Sequence, residues 1–138
     1  MATFSFDGVS DLMLSMQKIA EIPEDVQSDM LNAEADVVLK AIKDKGEAYG
    51  VHRTGETLSH IRKGKVKRDK DGNLCIYITF NGKNEKGTRY AEIAFINNFG
   101  KKNQPARPFV TDGVIASEDR AAKEGEAVYN KWLQSNNL

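Results

Sequence analysis

The chain has 138 residues, 40% of them hydrophobic and 29% charged, with twenty basic and twenty acidic side chains that cancel. That length suits one domain around one core, and that balance excludes a disordered tail or a body whose whole surface binds nucleic acid, leaving room for a local basic patch. One cysteine, Cys75, excludes an internal disulfide framework and suits a reducing compartment.

The opening "MATFSFDGVSD" carries no basic stretch followed by an apolar one, so no secretory signal is expected, and no apolar run approaches membrane-spanning length. From Val9, apolar residues at Leu12, Met13, Met16, Ile19 and Ala20 predict a short first helix, with Asp7 or Ser10 as its cap. "EIPED" breaks the chain and restarts it. Pro23 suits a first helical turn, Glu24 and Asp25 favour the positive end of the helix dipole, and a second helix is predicted to about Gly46. Its apolar residues form two stripes, Val26, Met30, Ala33, Val37 and Ala41, and Leu31, Val38 and Ile42. So wide a face is covered either by the first helix and a sheet together or in part by another subunit.

Beyond "GEAYGVHRTGETLSHI" the period changes. Leu74, Ile76, Ile78 and Phe80 alternate with Cys75, Tyr77 and Thr79, which predicts a strand with one apolar face and a buried Cys75. "DKDGN" is turn chemistry, so His60 to Arg68 is expected to pair back as the polar, edge arm of a hairpin. "YAEIAFINNFG" fits both alternation and a helix face; a short helix or mixed segment running into a final strand is expected. "FVTDGVIASEDRAAKEGEAVYNKWLQ" predicts a terminal helix through Val110, Val114, Ala121, Val128 and Trp132, with Gly113 and Gly125 as weak points. Helices on either side of a small antiparallel sheet make an α+β fold in a single domain, residues 1–138.

Chemistry is sparse. The two histidines, His52 and His60, flank the Thr-Gly segment, and a nucleophile needs a base within hydrogen-bond reach. One Cys and two His do not make the local pairings of a zinc site, and no phosphate-cradling glycine loop precedes a helix. No catalytic, metal or cofactor site is expected. The hairpin segment "RKGKVKRDKD" sets Arg62, Lys63, Lys65, Lys67, Arg68 and Lys70 against two aspartates. Such lysines protect an edge strand from aggregation, contact DNA phosphates, or meet an acidic protein surface.

In "NQPARPFV", Pro105 and Pro108 hold φ at about −65° and extend the residues before them. The segment reads as a stiff arm that presents Arg107 and Phe109 at a set angle. Locally, Phe109 can plug the helix onto the sheet and Arg107 can pair with a carboxylate such as Glu92. A set of motifs recurs here in order. "TGETLSHI" supplies Thr54, Gly55, Leu58, Ser59 and Ile61, "RYAEIAFINNFG" supplies Tyr90, Ala91 and Gly100, and "PARPF" supplies Ala106 to Phe109. Together with a long N-terminal helix and a terminal one, they resemble the gene-product-ten-like tail-component family of HK-ninety-seven-type siphophages. Asn98 stands where that family usually has an acidic residue, and "VTDGV" follows the Phe in place of a small or proline-rich continuation.

The resemblance implies a structural virion protein of the tail or head-tail junction, similar to the ring-forming, often hexameric, tail terminators and connectors. Its partners would be copies of itself and other tail or connector proteins, with no membrane and no cofactor. It would sit in the tail or neck, after assembly in the bacterial cytoplasm. Arg107, Pro108, Phe109, Tyr90 and Gly100 would shape the neighbour contact, completed by the spare stripe of the second helix. A small DNA-binding accessory protein acting through Arg62, Lys63, Lys65, Lys67 and Arg68 is the first rival, and a phage-encoded enzyme or toxin using His52 or His60 the second.

Overall fold

A computed structural model describes residues 3–4, 22–51 and 56–136. The expected first helix, with Asp7 and Ser10, and the residues His52, Thr54 and Gly55 lie outside them. The described elements run β1 (Thr3–Phe4), α1 (Glu24–Ala48), α2 (Glu56–Ser59), β2 (Ile61–Lys63), β3 (Lys67–Arg68), β4 (Leu74–Cys75), β5 (Ile78–Phe80), α3 (Tyr90–Phe99) and α4 (Phe109–Ser135). Helices with two small antiparallel sheets give the expected α+β class.

Helix α1 begins after Pro23, whose carbonyl accepts the Gln27 N–H at 3.0 Å, and Glu24 and Asp25 occupy its first turn. Its wide apolar face is buried within the chain: Val26, Met30, Leu31, Val38, Ala41 and Ile42 are all in the core. Helix α4 makes the most extensive contact with α1, and β2 and β4 touch it as well. Ala33 and Val37 are half-buried. The stripe expected to be spare for a neighbour is therefore largely taken up by α4.

The predicted hairpin forms, but in two pieces. Lys67 and Arg68 pair with Cys75 and Leu74 across the Asp69–Asn73 turn, while Ile61, Arg62 and Lys63 pair with Phe80, Thr79 and Ile78. Between the pieces, three residues (64–66) face two (76–77), so one strand carries an extra residue, as in a bulge. Gly64 sits there and donates its N–H to the Tyr77 carbonyl at 2.7 Å. The expected continuous strand is thus divided between two sheets, and its side chains still alternate: Ile76, Ile78 and Phe80 are buried. Cys75 is half-buried, short of the burial expected for it. Strand β5 is central in the order β1-β5-β2, so β2 lies at an edge as expected, and β1 is an element that periodicity had not suggested.

"YAEIAFINNF" is a helix throughout, and no strand follows it among the described residues. Instead Lys101 and Gln104 exchange backbone hydrogen bonds at 3.0 and 2.9 Å in a tight hairpin whose Asn103 has φ of 68°. The terminal helix forms as predicted and lies along α1. The two glycines expected to weaken it are both buried against α1.

Candidate functional site

The described parts of the three motifs fold into one unit. Gly46, near the end of α1, sits beneath two motif residues, because a Cβ there would lie 2.5 Å from Leu58 Cδ2 and 3.2 Å from Phe109 Cδ2. Phe109 is fully buried, meets Phe80 edge-on at 6.0 Å between centroids, and Phe80 pairs in register with Ile61. Phe109 is therefore a core plug that docks α4 on the sheet. This is the local plug that the sequence allowed, and the ring does not project from the arm toward a neighbour as the resemblance implied. The edge-on ring contact adds about 1 kcal/mol beyond area burial.

The arm itself is held by backbone hydrogen bonds. The Arg107 N–H donates to the Asn97 carbonyl at 2.6 Å, and the Phe109 N–H to the Arg107 carbonyl at 2.7 Å. Gly100 closes α3 with φ of 77°, and a Cβ on it would lie 2.8 Å from the Gln104 oxygen and 2.9 Å from the Ala106 nitrogen. Both the positive φ and the backbone approach demand glycine. Pro108 precedes α4 and is half-buried.

Of the expected contact residues, Arg107 is the exposed one. Its Nη1 donates to the Gly50 carbonyl at 3.0 Å. Glu92, the carboxylate expected for it, instead accepts from Arg89 at 2.8 Å. No carboxylate among the described residues pairs with Arg107. Together with Gly50, Val51, Glu56, Tyr90, Ile93 and Asn97 it lines a surface cleft of about 620 Å³, with Lys86 and Asn84 on the wall. The structure thus brings Tyr90 and Arg107 to one cleft, Gly100 behind the arm that carries Arg107, and Phe109 into the core.

Tyr90 opens α3 and is 5% exposed. Its ring stacks on His60 at 4.0 Å, and its hydroxyl donates to Glu56 Oε2 at 3.3 Å. Burial, then the Glu56 carboxylate, raises the hydroxyl's pKa above its ordinary value. His60 Nδ1 lies 2.6 Å from the Glu56 carbonyl and 3.2 Å from Ser59 Oγ. A carbonyl only accepts, so Nδ1 carries the proton and gives Ser59 no base. Ser59 Oγ meanwhile donates to the same carbonyl at 2.8 Å. Among the described residues no cluster of three His, Cys, Asp or Glu could hold a metal ion.

The basic hairpin is already engaged within the chain. Lys63 pairs with Asp36 at 2.8 Å and Arg68 with Glu24 at 3.0 Å, both carboxylates belonging to α1. Arg62 donates to the Ser59 and Ile61 carbonyls, and the Lys67 ammonium lies 4.5 Å over the Tyr77 ring. Lys65 is exposed.

Two side chains without an assigned role in the sequence, Asn98 and Tyr49, hold the helix ends. Asn98 is 2% exposed, and its Oδ1 accepts the Val110 and Thr111 N–H groups at 3.0 and 3.1 Å while Nδ2 donates to Thr111 Oγ1 at 3.0 Å. It caps α4 from α3, a role an acidic residue could share because two of the three bonds need an acceptor. The Tyr49 hydroxyl donates to Asp112 at 2.6 Å, tying the end of α1 to the start of α4 and raising the hydroxyl's pKa. The cap had a sequence signal only in that it occupies the position before the aromatic-glycine pair. Compared with family models, curated proteins and solved structures, the chain matches none.

Proposed function

We propose that this chain is a structural component of a bacteriophage tail or head-tail junction, a tail-completion type of protein that assembles as a ring of copies against other tail or connector proteins. The observation that carries the reading is the convergence of the ordered motifs. Leu58 and Phe109 meet in the core at Gly46, Ile61 pairs with the Phe80 that Phe109 touches, and Gly100 and Pro108 fix the arm that leaves Arg107 exposed beside Tyr90. Residues spread along the chain thereby build one rigid ledge, and a rigid ledge loses little ordering entropy on docking. Ring contacts of this kind are heterologous and close only at the right rotation per subunit. The work done is assembly by complementary surfaces.

The DNA-binding rival has less support, since Lys63, Arg68, Arg62 and Lys67 each have a partner within the chain. Exposed ion pairs contribute at most about 1 kcal/mol, so phosphates could still compete for them. Electron microscopy of virions carrying a tagged copy, or labelled by antibody, tests the proposal. Label at the neck or tail is expected. Complete absence from particles, with a salt-sensitive duplex-DNA gel shift that charge reversal at Lys65 and Lys67 abolishes, would overturn it in favour of the rival.

A further inference from the structure

Large exposed apolar side chains are concentrated on two consecutive helices. Phe95 and Phe99 of α3 are 50% and 57% exposed and lie against each other with ring centroids 4.8 Å apart. Ile115 of α4 is 61% exposed. A single exposed leucine or isoleucine is ordinary, but a contacting aromatic pair on an outer helical face is the composition of an interface centre. One turn separates Phe95 from Phe99, so both rings point the same way from α3.

The charges beside these residues are opposite in sign. Lys101 and Lys102 follow Phe99 across Gly100, are exposed, and have no ion-pair partner among the described residues. Glu118 and Asp119 lie three and four positions after Ile115, on the same side of α4, and they too are exposed and unpaired among the described residues. Ile115 alone would be ordinary, but an aromatic knob bordered by lysines and an exposed isoleucine bordered by carboxylates are complementary in both apolar and charged character.

From this we propose that Phe95, Phe99, Lys101 and Lys102 of one copy dock on Ile115, Glu118 and Asp119 of a second copy of this chain. In the heterologous arrangement that a ring requires, each contact uses the knob of one copy and the patch of the next, and so leaves one knob and one patch open for further copies. The aromatic rings supply the buried area and the rim charges set register and association rate. This deepens the ring reading by naming its surface, and its test needs no virion. Neck label with a monomeric protein would sink the surface alone, and self-association without virion label would sink the tail role alone.

The test is sedimentation velocity on the full chain across micromolar to near-millimolar concentration. The wild type is expected to self-associate. Phe95→Ser/Phe99→Ser is expected to weaken association by about a hundredfold with an unchanged melting temperature. Lys101→Glu/Lys102→Glu and Glu118→Lys/Asp119→Lys are each expected to be monomeric alone and to associate when mixed, because each supplies the charge the other lacks. A wild type monomeric throughout overturns the proposal. So does a mixture that fails to associate. A monomeric wild type whose aromatic variant melts earlier would also overturn it and assign the ring pair to a contact within the chain.

Discussion

Helix α4 approaches α1 through two glycines twelve positions apart, and the two approaches are unlike. At Gly113 an added Cβ would lie 2.8 Å from the Ile42 Cα and 3.0 Å from its nitrogen, so backbone meets backbone. At Gly125 the added Cβ would collide with Glu34 Oε1, so the space belongs to a carboxyl group. Glu34 is 1% exposed and neither of its oxygens has a hydrogen-bond partner among the described residues. Burial raises its pKa from 4.5 to about 8. One end of the interface is therefore specified by shape and by the Asn98 cap, and the other holds a proton that water would take at neutral pH.

The largest expected effect acts on that difference through pH. A carboxyl whose folded pKa lies above its unfolded value contributes its full share below about pH 4.5, and that share drains away as pH rises to about 8. The shift corresponds to roughly 4 to 5 kcal/mol, comparable with the whole stability of many domains. Urea melts should show the wild type losing stability between pH 5 and pH 9. Glu34→Gln should remove most of that slope and be the more stable protein at pH 9.

Next comes steric substitution. Gly113→Ala should cost about 2 to 3 kcal/mol, because the backbone of Ile42 cannot move aside and the roughly 1 kcal/mol gained in helix propensity is smaller. Gly125→Ala collides with the end of a side chain, so Glu34→Ala should relieve much of its cost. The double variant in a thermal melt should fall well short of additivity, whereas Glu34→Ala should do nothing for Gly113→Ala. Equal behaviour of the two glycines would erase the distinction between the ends.

The smallest of the three effects lies at the capped end. Asn98→Ala should cost about 2 kcal/mol by leaving the Val110 and Thr111 N–H groups without their acceptor. Asn98→Asp should retain most of the stability at neutral pH and lose it in acid, measurable by the same melts.

How much of this the sequence disclosed follows from how local each cause is. The period of 3.6 residues marked α1 and α4, and "DKDGN" marked the turn between β3 and β4, because helix faces and turns are written in neighbouring residues. The division of the 74–80 strand was hidden because it depends on the unequal spacing of residues 64–66 and 76–77 across the hairpin. Helical propensity made Gly113 and Gly125 look like defects; their purpose is visible only once Ile42 and Glu34 stand opposite them. For the site, the stiffness of the Pro105–Pro108 arm was legible, but the direction of its side chains was not. Phe109 turns inward to Phe80 and Arg107 lies along the surface to Gly50, choices made by partners 29 and 57 positions away.

The Asn98 cap makes the start of α4 depend on the end of α3. The first turn of α4 takes its acceptor from a side chain twelve residues upstream on a different helix. That turn is accordingly conditional on α3 having docked, and the 27-residue terminal segment on its own would fray at its leading edge. Closing so short a connection is entropically cheap. The leading edge of α4 and the end of α3 are thus coupled in stability, so that loosening either one loosens the other.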